Sequence, residues 1–185
     1  FLKMNQSISD KIESKINEDL SPTRNLTGLH LKIITTIAII WSLFQLWYAS
    51  PFPFMFNVGM FKGLPARAIH LGFALTLAFL IYPISKRKKI SIFDILISFI
   101  GAFCCLYIYF FYDQLVDRGG ILLNISIGKS FNLPVELIIG SLGILILLEA
   151  TRRVIGLPLV LIAICFLLFS YFGRYAPEII SHGGL

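Results

Sequence analysis

The sequence predicts an all-α, polytopic helical membrane protein with about five transmembrane helices and a cytoplasmic N-terminus. Two observations predict this class: the apolar residues come in long blocks, and the basic residues lie in short clusters between them. Only 14% of the residues are charged, whereas a soluble domain carries about 25%. A helix needs roughly 20 apolar residues to cross the hydrocarbon core, where open sheets and loops would leave backbone groups without partners. Several such blocks in one chain therefore predict a helical bundle.

Five blocks have the length and composition of membrane spans, and local signals mark where several of them begin. They cover residues 29–48, 64–82, 91–112, 134–150 and 157–171. Pro65, Pro134 and Pro158 stand at the starts of three blocks, where the missing N–H would have no helical acceptor anyway. The third block opens with Ser91 and, three residues later, Asp94, which is the spacing of a capping box. We therefore expect helices to begin at these positions.

The distribution of lysine and arginine predicts the orientation of the spans. The segment between spans two and three contains four consecutive basic residues: Lys86, Arg87, Lys88 and Lys89. Because basic residues accumulate on the cytoplasmic side, we take this segment as the topology signal. Counting in both directions places the N-terminus and Arg152-Arg153 inside and the segments 49–63 and 113–133 outside. The predicted location is the bacterial inner (plasma) membrane, with several passes through it.

The net charge of +6 does not indicate nucleic-acid binding, because the positive residues are separated into short clusters at the ends of apolar blocks. Cys104, Cys105 and Cys165 all lie inside apolar blocks and show neither a disulfide framework nor metal-ligand spacing. We therefore predict no nucleic-acid partner, no metal site and no cofactor within this chain.

Polar residues within or beside the spans are the candidates for functional contacts. Arg67 and His70 are three residues apart and share one face of the second span. They are candidates for contact with a partner helix or an anionic ligand, or alternatively for anchoring at the head groups of membrane lipid. Gln45, near the end of the first span, is a candidate for an interhelical hydrogen bond.

The fourth span carries acidic and basic residues at its two ends. Glu136 lies in its first turn, and Glu149, Arg152 and Arg153 form a set with i, i+3 and i+4 spacing near its other end. Ion pairs at this spacing stabilise a helix slightly, and arginines at a C-terminus complement the helix dipole. We interpret this set as structural and topological.

The sequence shows no arrangement typical of an enzyme. It contains no nucleophile–base pair, no glycine-rich phosphate loop and no metalloprotease motif. A haem-binding anchor would need histidines paired at one membrane depth, but His30, His70 and His182 are predicted at different depths. We therefore predict no catalytic residues.

Three segments of the spans resemble a known family of membrane proteins. They are SLFQL at residues 42–46, RAIHLGFAL at 67–75 and LEATRRVIGL at 148–157, and FGRYAP at 172–177 and HGG at 182–184 extend the likeness. These segments resemble the fused permeases of tripartite ATP-independent periplasmic (TRAP) transporters, most closely those of the TAXI class. The resemblance covers most of the chain from the first span onward.

The resemblance implies a small membrane module joined to a large one that moves the substrate. It divides the chain into a polar cytoplasmic segment (1–28), a four-helix small-subunit-like module (29–153), and a fifth span with a periplasmic end (154–185) that leads into the large component. In this family a periplasmic binding protein delivers organic acids and a sodium gradient drives their import. The substrate and sodium residues belong to the large component, so none can be assigned here. The alternative is a membrane anchor or assembly subunit of an unrelated inner-membrane complex.

Overall fold

The computed structural model describes Thr23 and residues 28–61, 63–84, 91–119, 124–127 and 131–175. Its helices are α1 (Leu29–Ala49), α2 (Phe52–Phe56), α3 (Gly63–Ile81), α4 (Ile92–Asp117), α5 (Val135–Val154) and α6 (Leu157–Phe172). A short hairpin of β1 (Asn124–Ile127) and β2 (Phe131–Pro134) precedes α5, and a 3₁₀ turn (Gly173–Tyr175) follows α6. The predictions made for most of the polar segment 1–28, for the basic segment 86–89 and for residues 176–185 lie outside the described residues.

The predicted helical class is confirmed, and three of the described helices are long and apolar enough to cross a membrane. These three are α1, α3 and α4, with 21, 19 and 26 residues. Helix α5 has 20 residues but carries acidic or basic side chains at both ends, and α6 is apolar but has only 16 residues. The length and composition of the described helices thus indicate a helical membrane protein.

The helix starts follow the local signals in the sequence. Ser91 caps α4, because its Oγ accepts a hydrogen bond from the backbone N–H of Phe93 at 3.3 Å. Pro158 lies in the first turn of α6, directly after Gly156, which has a φ of 110° that favours glycine. Helix α4 continues to Asp117, beyond the expected end at residue 112, since no proline or glycine lies between residue 112 and Gly119.

Two short elements lie in the segments between the predicted spans, 49–63 and 113–133. Pro51 and Pro53 follow the end of α1, and the short helix α2 lies there and is capped by Asn57 in the left-handed conformation. Strand β1 pairs antiparallel with β2, so that Asn124 lies opposite Pro134. Because β2 runs directly into α5, the hairpin lies at the start of that helix.

Helix α3 is the centre of the bundle and packs against α1, α4 and α5. Its Phe79 is fully buried and belongs to a core formed by five side chains from three helices: Leu75, Phe79, Cys105, Ile146 and Ala150. Gly101 of α4 permits the close approach, because a Cβ there would lie 3.1 Å from the Ile146 Cγ2 atom. By contrast, α6 packs chiefly against α5, and Val160 is its one buried residue.

Candidate functional site

Three groups of polar side chains join neighbouring helices. The first, the Arg153 cluster, consists of Asp94, Glu149, Arg152 and Arg153. Its centre is a buried ion pair in which Arg153 Nη1 lies 2.7 Å from Asp94 Oδ1, with the two side chains 2% and 1% exposed. Arg153 also donates to the backbone carbonyl of Tyr82 at 3.3 Å. The guanidinium therefore ties α5 to the end of α3 and the start of α4.

The remaining contacts of Arg153 hold it in this position. Its Nε donates to Glu149 Oε1 at 2.8 Å, and its guanidinium carbon lies 4.8 Å from the centre of the Phe79 ring. Glu149 also accepts two hydrogen bonds from the more exposed Arg152. Arg153 Nη2 is buried without a hydrogen-bond partner among the described residues. Because so much of the charge is buried, the carboxylates beside it are required to offset its desolvation.

The sequence predicts Glu149, Arg152 and Arg153 as one local set, and it indicates for Asp94 only a place in a capping box. In the structure Asp94 is the interhelical partner of Arg153, across 59 positions of sequence. A signal for this pairing was present: Asp94 begins the third predicted span and Arg153 follows the fourth, so both lie at the same end of adjacent antiparallel helices. A buried arginine at that depth requires an acid, and Asp94 supplies it.

The second group, the Glu136 cluster, lies at the opposite end of the bundle and consists of Tyr107, Arg118 and Glu136. Arg118 Nη2 lies 2.6 Å from Glu136 Oε1, and the Glu136 side chain is 3% exposed. The Tyr107 hydroxyl donates to the same oxygen at 3.3 Å. The cluster thus joins the last turns of α4 to the first turn of α5. The sequence had marked Glu136, but neither of its partners.

The third place is the His70 cleft, a space of about 300 Å³ between α1 and α3. Seven residues line it: Phe44, Gln45, Tyr48, Ala49, Ala66, Arg67 and His70. The indole N–H of Trp41 donates to His70 Nδ1 at 3.3 Å, and the side-chain amide of Gln45 contacts the same nitrogen. The structure therefore brings together the three polar residues that the sequence had suggested for the first and second spans.

The contacts of His70 determine which of its nitrogens carries the proton. A tryptophan indole N–H can only donate, so His70 Nδ1 must accept. The neutral ring therefore carries its proton on Nε2. Arg67, one helical turn away, is exposed and forms no hydrogen bond or ion pair within the part of the chain that is described. The cleft thus combines aromatic walls with hydrogen-bond donors.

The Arg153 and Glu136 clusters fix helices to one another, whereas the His70 cleft is open and has donors to spare. Within the described residues, no three His, Cys, Asp or Glu side chains lie close enough together to hold a metal ion. Comparison of the chain with models of protein families, with curated proteins and with solved structures finds no match.

Proposed function

We propose that this chain is the membrane scaffold module of a sodium-coupled, TRAP-type secondary transporter of the TAXI class. In such a system the module holds a large permease component in the inner membrane, and a periplasmic binding protein delivers organic acids to that component. The observation that carries the proposal is a contrast within the fold. Helices α4 and α5 are joined by two ion pairs, and Arg153 also donates to a backbone carbonyl at the end of α3, whereas α6 presents an almost wholly exposed apolar surface.

The three joined helices suit the stationary module of a transporter, beside which the large component moves. The Arg153 cluster connects α3, α4 and α5 at one end, and the Glu136 cluster connects α4 and α5 at the other. Between them the helices approach closely at Gly101, and Phe79 lies fully buried. A core packed in this way resists gradual deformation. The polar residues of both clusters are engaged with one another, which favours a structural role over a pathway for substrate.

The surface of α6 suits contact with further helices. Leu161 and Phe166 are 58% and 69% exposed, and the helix packs chiefly against α5. In lipid, apolar exposure alone does not drive association, but close packing between helices does. The resemblance of residues 148–157 to the fused permeases includes the junction between α5 and α6. We therefore assign α6 to the connection with the large component, where the substrate and sodium sites reside.

The proposal includes five spans, with the N-terminus in the cytoplasm. In this arrangement α5 and α6 cross the membrane as the fourth and fifth spans, and the Arg153 cluster lies at the cytoplasmic end. The Glu136 cluster and the His70 cleft then face the periplasm. The basic residues at 86–89 support this orientation, because they follow the end of α3 that lies beside Arg153.

Cysteine labelling tests the orientation. In a Cys165→Ser background, Ile84→Cys is expected to react with a membrane-impermeant maleimide only after the cytoplasmic face is opened. Asp117→Cys is expected to react in intact spheroplasts, because it ends α4 at the opposite end of the bundle. Both positions are exposed, so access depends on the membrane side rather than on burial. The reverse pattern of labelling would overturn the assigned orientation.

Photo-crosslinking in native membranes tests the scaffold function. A photoreactive amino acid at Leu161 of α6 is expected to capture a large membrane protein or domain with many spans. The matched control is Leu43 of α1, which is 59% exposed on the far side of the bundle, whereas Leu161 is 58% exposed. We expect much less of the same product from Leu43, because α1 packs on α3 and not on α5 or α6.

The captured product is then tested for transport. Proteoliposomes that contain this chain with the captured component are expected to take up an organic acid only with a sodium gradient and the periplasmic binding protein. Proteoliposomes with this chain alone are expected to show no uptake. Recovery of a redox or biosynthetic complex at Leu161 would favour the membrane-anchor function instead. Sodium-dependent uptake by this chain alone would contradict the division of labour between the two modules.

A further inference from the structure

The His70 cleft has the chemistry of an anion site, which the scaffold function does not require. We propose that it binds the phosphate group of a membrane phospholipid, with Arg67 as the principal ligand and His70 as a second donor. The proposed site lies wholly within α1 and α3 and does not depend on the transport partner.

Arg67 supplies the charge. Its guanidinium has five N–H donors and no acceptor, and it is paired with no acid among the described residues. The other described arginines whose contacts are defined, such as Arg118 and Arg153, are each committed to a carboxylate. An arginine fork matches the oxygens of a phosphate, to which it can donate two parallel hydrogen bonds. The free guanidinium therefore indicates an anionic partner from outside the described chain.

His70 supplies a second donor of fixed identity. The Trp41 indole donates to Nδ1, which leaves the N–H of the neutral ring on Nε2, and no described residue accepts a hydrogen bond from it. The indole also packs edge-on against the imidazole, with ring centroids 5.0 Å apart, which fixes the orientation of the ring. Arg67 and His70 therefore both offer donors to the cleft, and the Arg67 charge favours an anionic ligand over a cationic one.

The walls of the cleft favour a lipid over a small soluble anion. Phe44 and Tyr48 line it on the α1 side and Ala66 on the α3 side, so most of its surface is apolar. It opens between two apolar helices, near the aromatic residues that end α1. Aromatic residues of this kind gather at the level of lipid head groups. A phospholipid can place its phosphate beside Arg67 and its glycerol and upper acyl carbons against the aromatic walls.

Quenching of Trp41 fluorescence measures occupancy of the cleft directly, because the indole contacts His70. A Trp47→Phe background leaves Trp41 as the one tryptophan of the chain. The purified protein in neutral detergent micelles is titrated with brominated phosphatidylglycerol, whose bromines quench nearby indoles. We expect saturable quenching, and Arg67→Gln is expected to weaken the apparent affinity about tenfold or more, since hydrogen bonds to charged groups are among the strong ones. Arg67→Lys is expected to lose part of that affinity, because it keeps the charge without the fork.

A matched control separates a specific site from general surface charge. Lys32→Gln removes one exposed positive charge from α1 but does not line the cleft, so the apparent affinity is expected to stay unchanged. Equal weakening by Lys32→Gln and Arg67→Gln, or no weakening by Arg67→Gln, would overturn the proposal. Relief of quenching by millimolar inorganic phosphate would reassign the site to a free anion. Because Arg67 is exposed, its variants are expected to unfold at the wild-type temperature, and Arg67→Lys provides the test if the glutamine variant does not.

Discussion

Asp94→Ala is expected to lower the free energy of unfolding by about 3–5 kcal/mol, because it leaves the Arg153 guanidinium buried without its principal carboxylate. The two side chains are 1% and 2% exposed and 2.7 Å apart. Glu149 still contacts Arg153 Nε in the variant, so the lower part of this range is expected. The measurement is unfolding of the purified protein in mixed micelles with increasing sodium dodecyl sulfate, followed by tryptophan fluorescence.

The control lies in the same cluster. Arg152 pairs with Glu149 at 2.7 Å, but its side chain is 42% exposed, and exposed pairs contribute about 0–1 kcal/mol. Arg152→Gln is therefore expected to have little effect. Replacing both buried partners, by Asp94→Asn with Arg153→Met, is expected to recover much of the stability, since no buried charge is left without a partner. If Asp94→Ala costs no more than Arg152→Gln, the buried pair does not hold the three helices together.

Gly101→Leu is the substitution with the second large expected effect. We expect it to lower the free energy of unfolding by about 1–3 kcal/mol, because the added side chain overpacks the core. A Cβ at this position would lie 3.1 Å from Ile146 Cγ2 and 3.4 Å from Leu75 Cδ1. Neither neighbour moves freely, because Leu75 and Ile146 both belong to the buried core. A leucine must therefore push α3 and α5 away from α4. The same unfolding titration measures the loss.

Gly140→Leu is the matched control on the adjacent helix. A Cβ at Gly140 would meet nothing within 4 Å, and the position lies beside an open apolar cleft. Leucine is a better helix former than glycine by about 0.8 kcal/mol, so stability is expected to stay the same or to rise slightly. Equal losses at both positions would mean that close approach at Gly101 is not what determines the packing of α4.

Much of the secondary structure could be predicted because single residues encode it locally. Ser91 marks the start of α4, and Pro158 lies in the first turn of α6. The end of α4 was harder to predict. Asp113 and Asp117 are typical of loops, although no residue in this segment breaks a helix. The hairpin was missed for a related reason: its strands have only four residues each, too few to show a clear alternation of apolar and polar side chains.

The polar contacts were harder to predict, because they depend on how helices are placed against each other. The spacing of Arg67 and His70 is enough to place them on one face. To predict the contact of His70 with Gln45, one must also know how α1 is positioned along its axis relative to α3. To predict the pairing of Arg153 with Asp94, one must know the relative position of α4 and α5 in the same way. The spacing of residues in the sequence shows which of them share a face of one helix. It does not show how far that helix is shifted along its axis relative to its neighbour.

The positions of the two ion-pair clusters have a mechanical consequence. Asp94 and Arg118 lie at opposite ends of α4, and their partners Arg153 and Glu136 lie at opposite ends of α5. Sliding of α5 along α4 by one helical turn, about 5.4 Å, would therefore separate both pairs in the same step. The cost of breaking one pair is therefore added to the cost of breaking the other. The two ion pairs therefore disfavour sliding of α5 along α4.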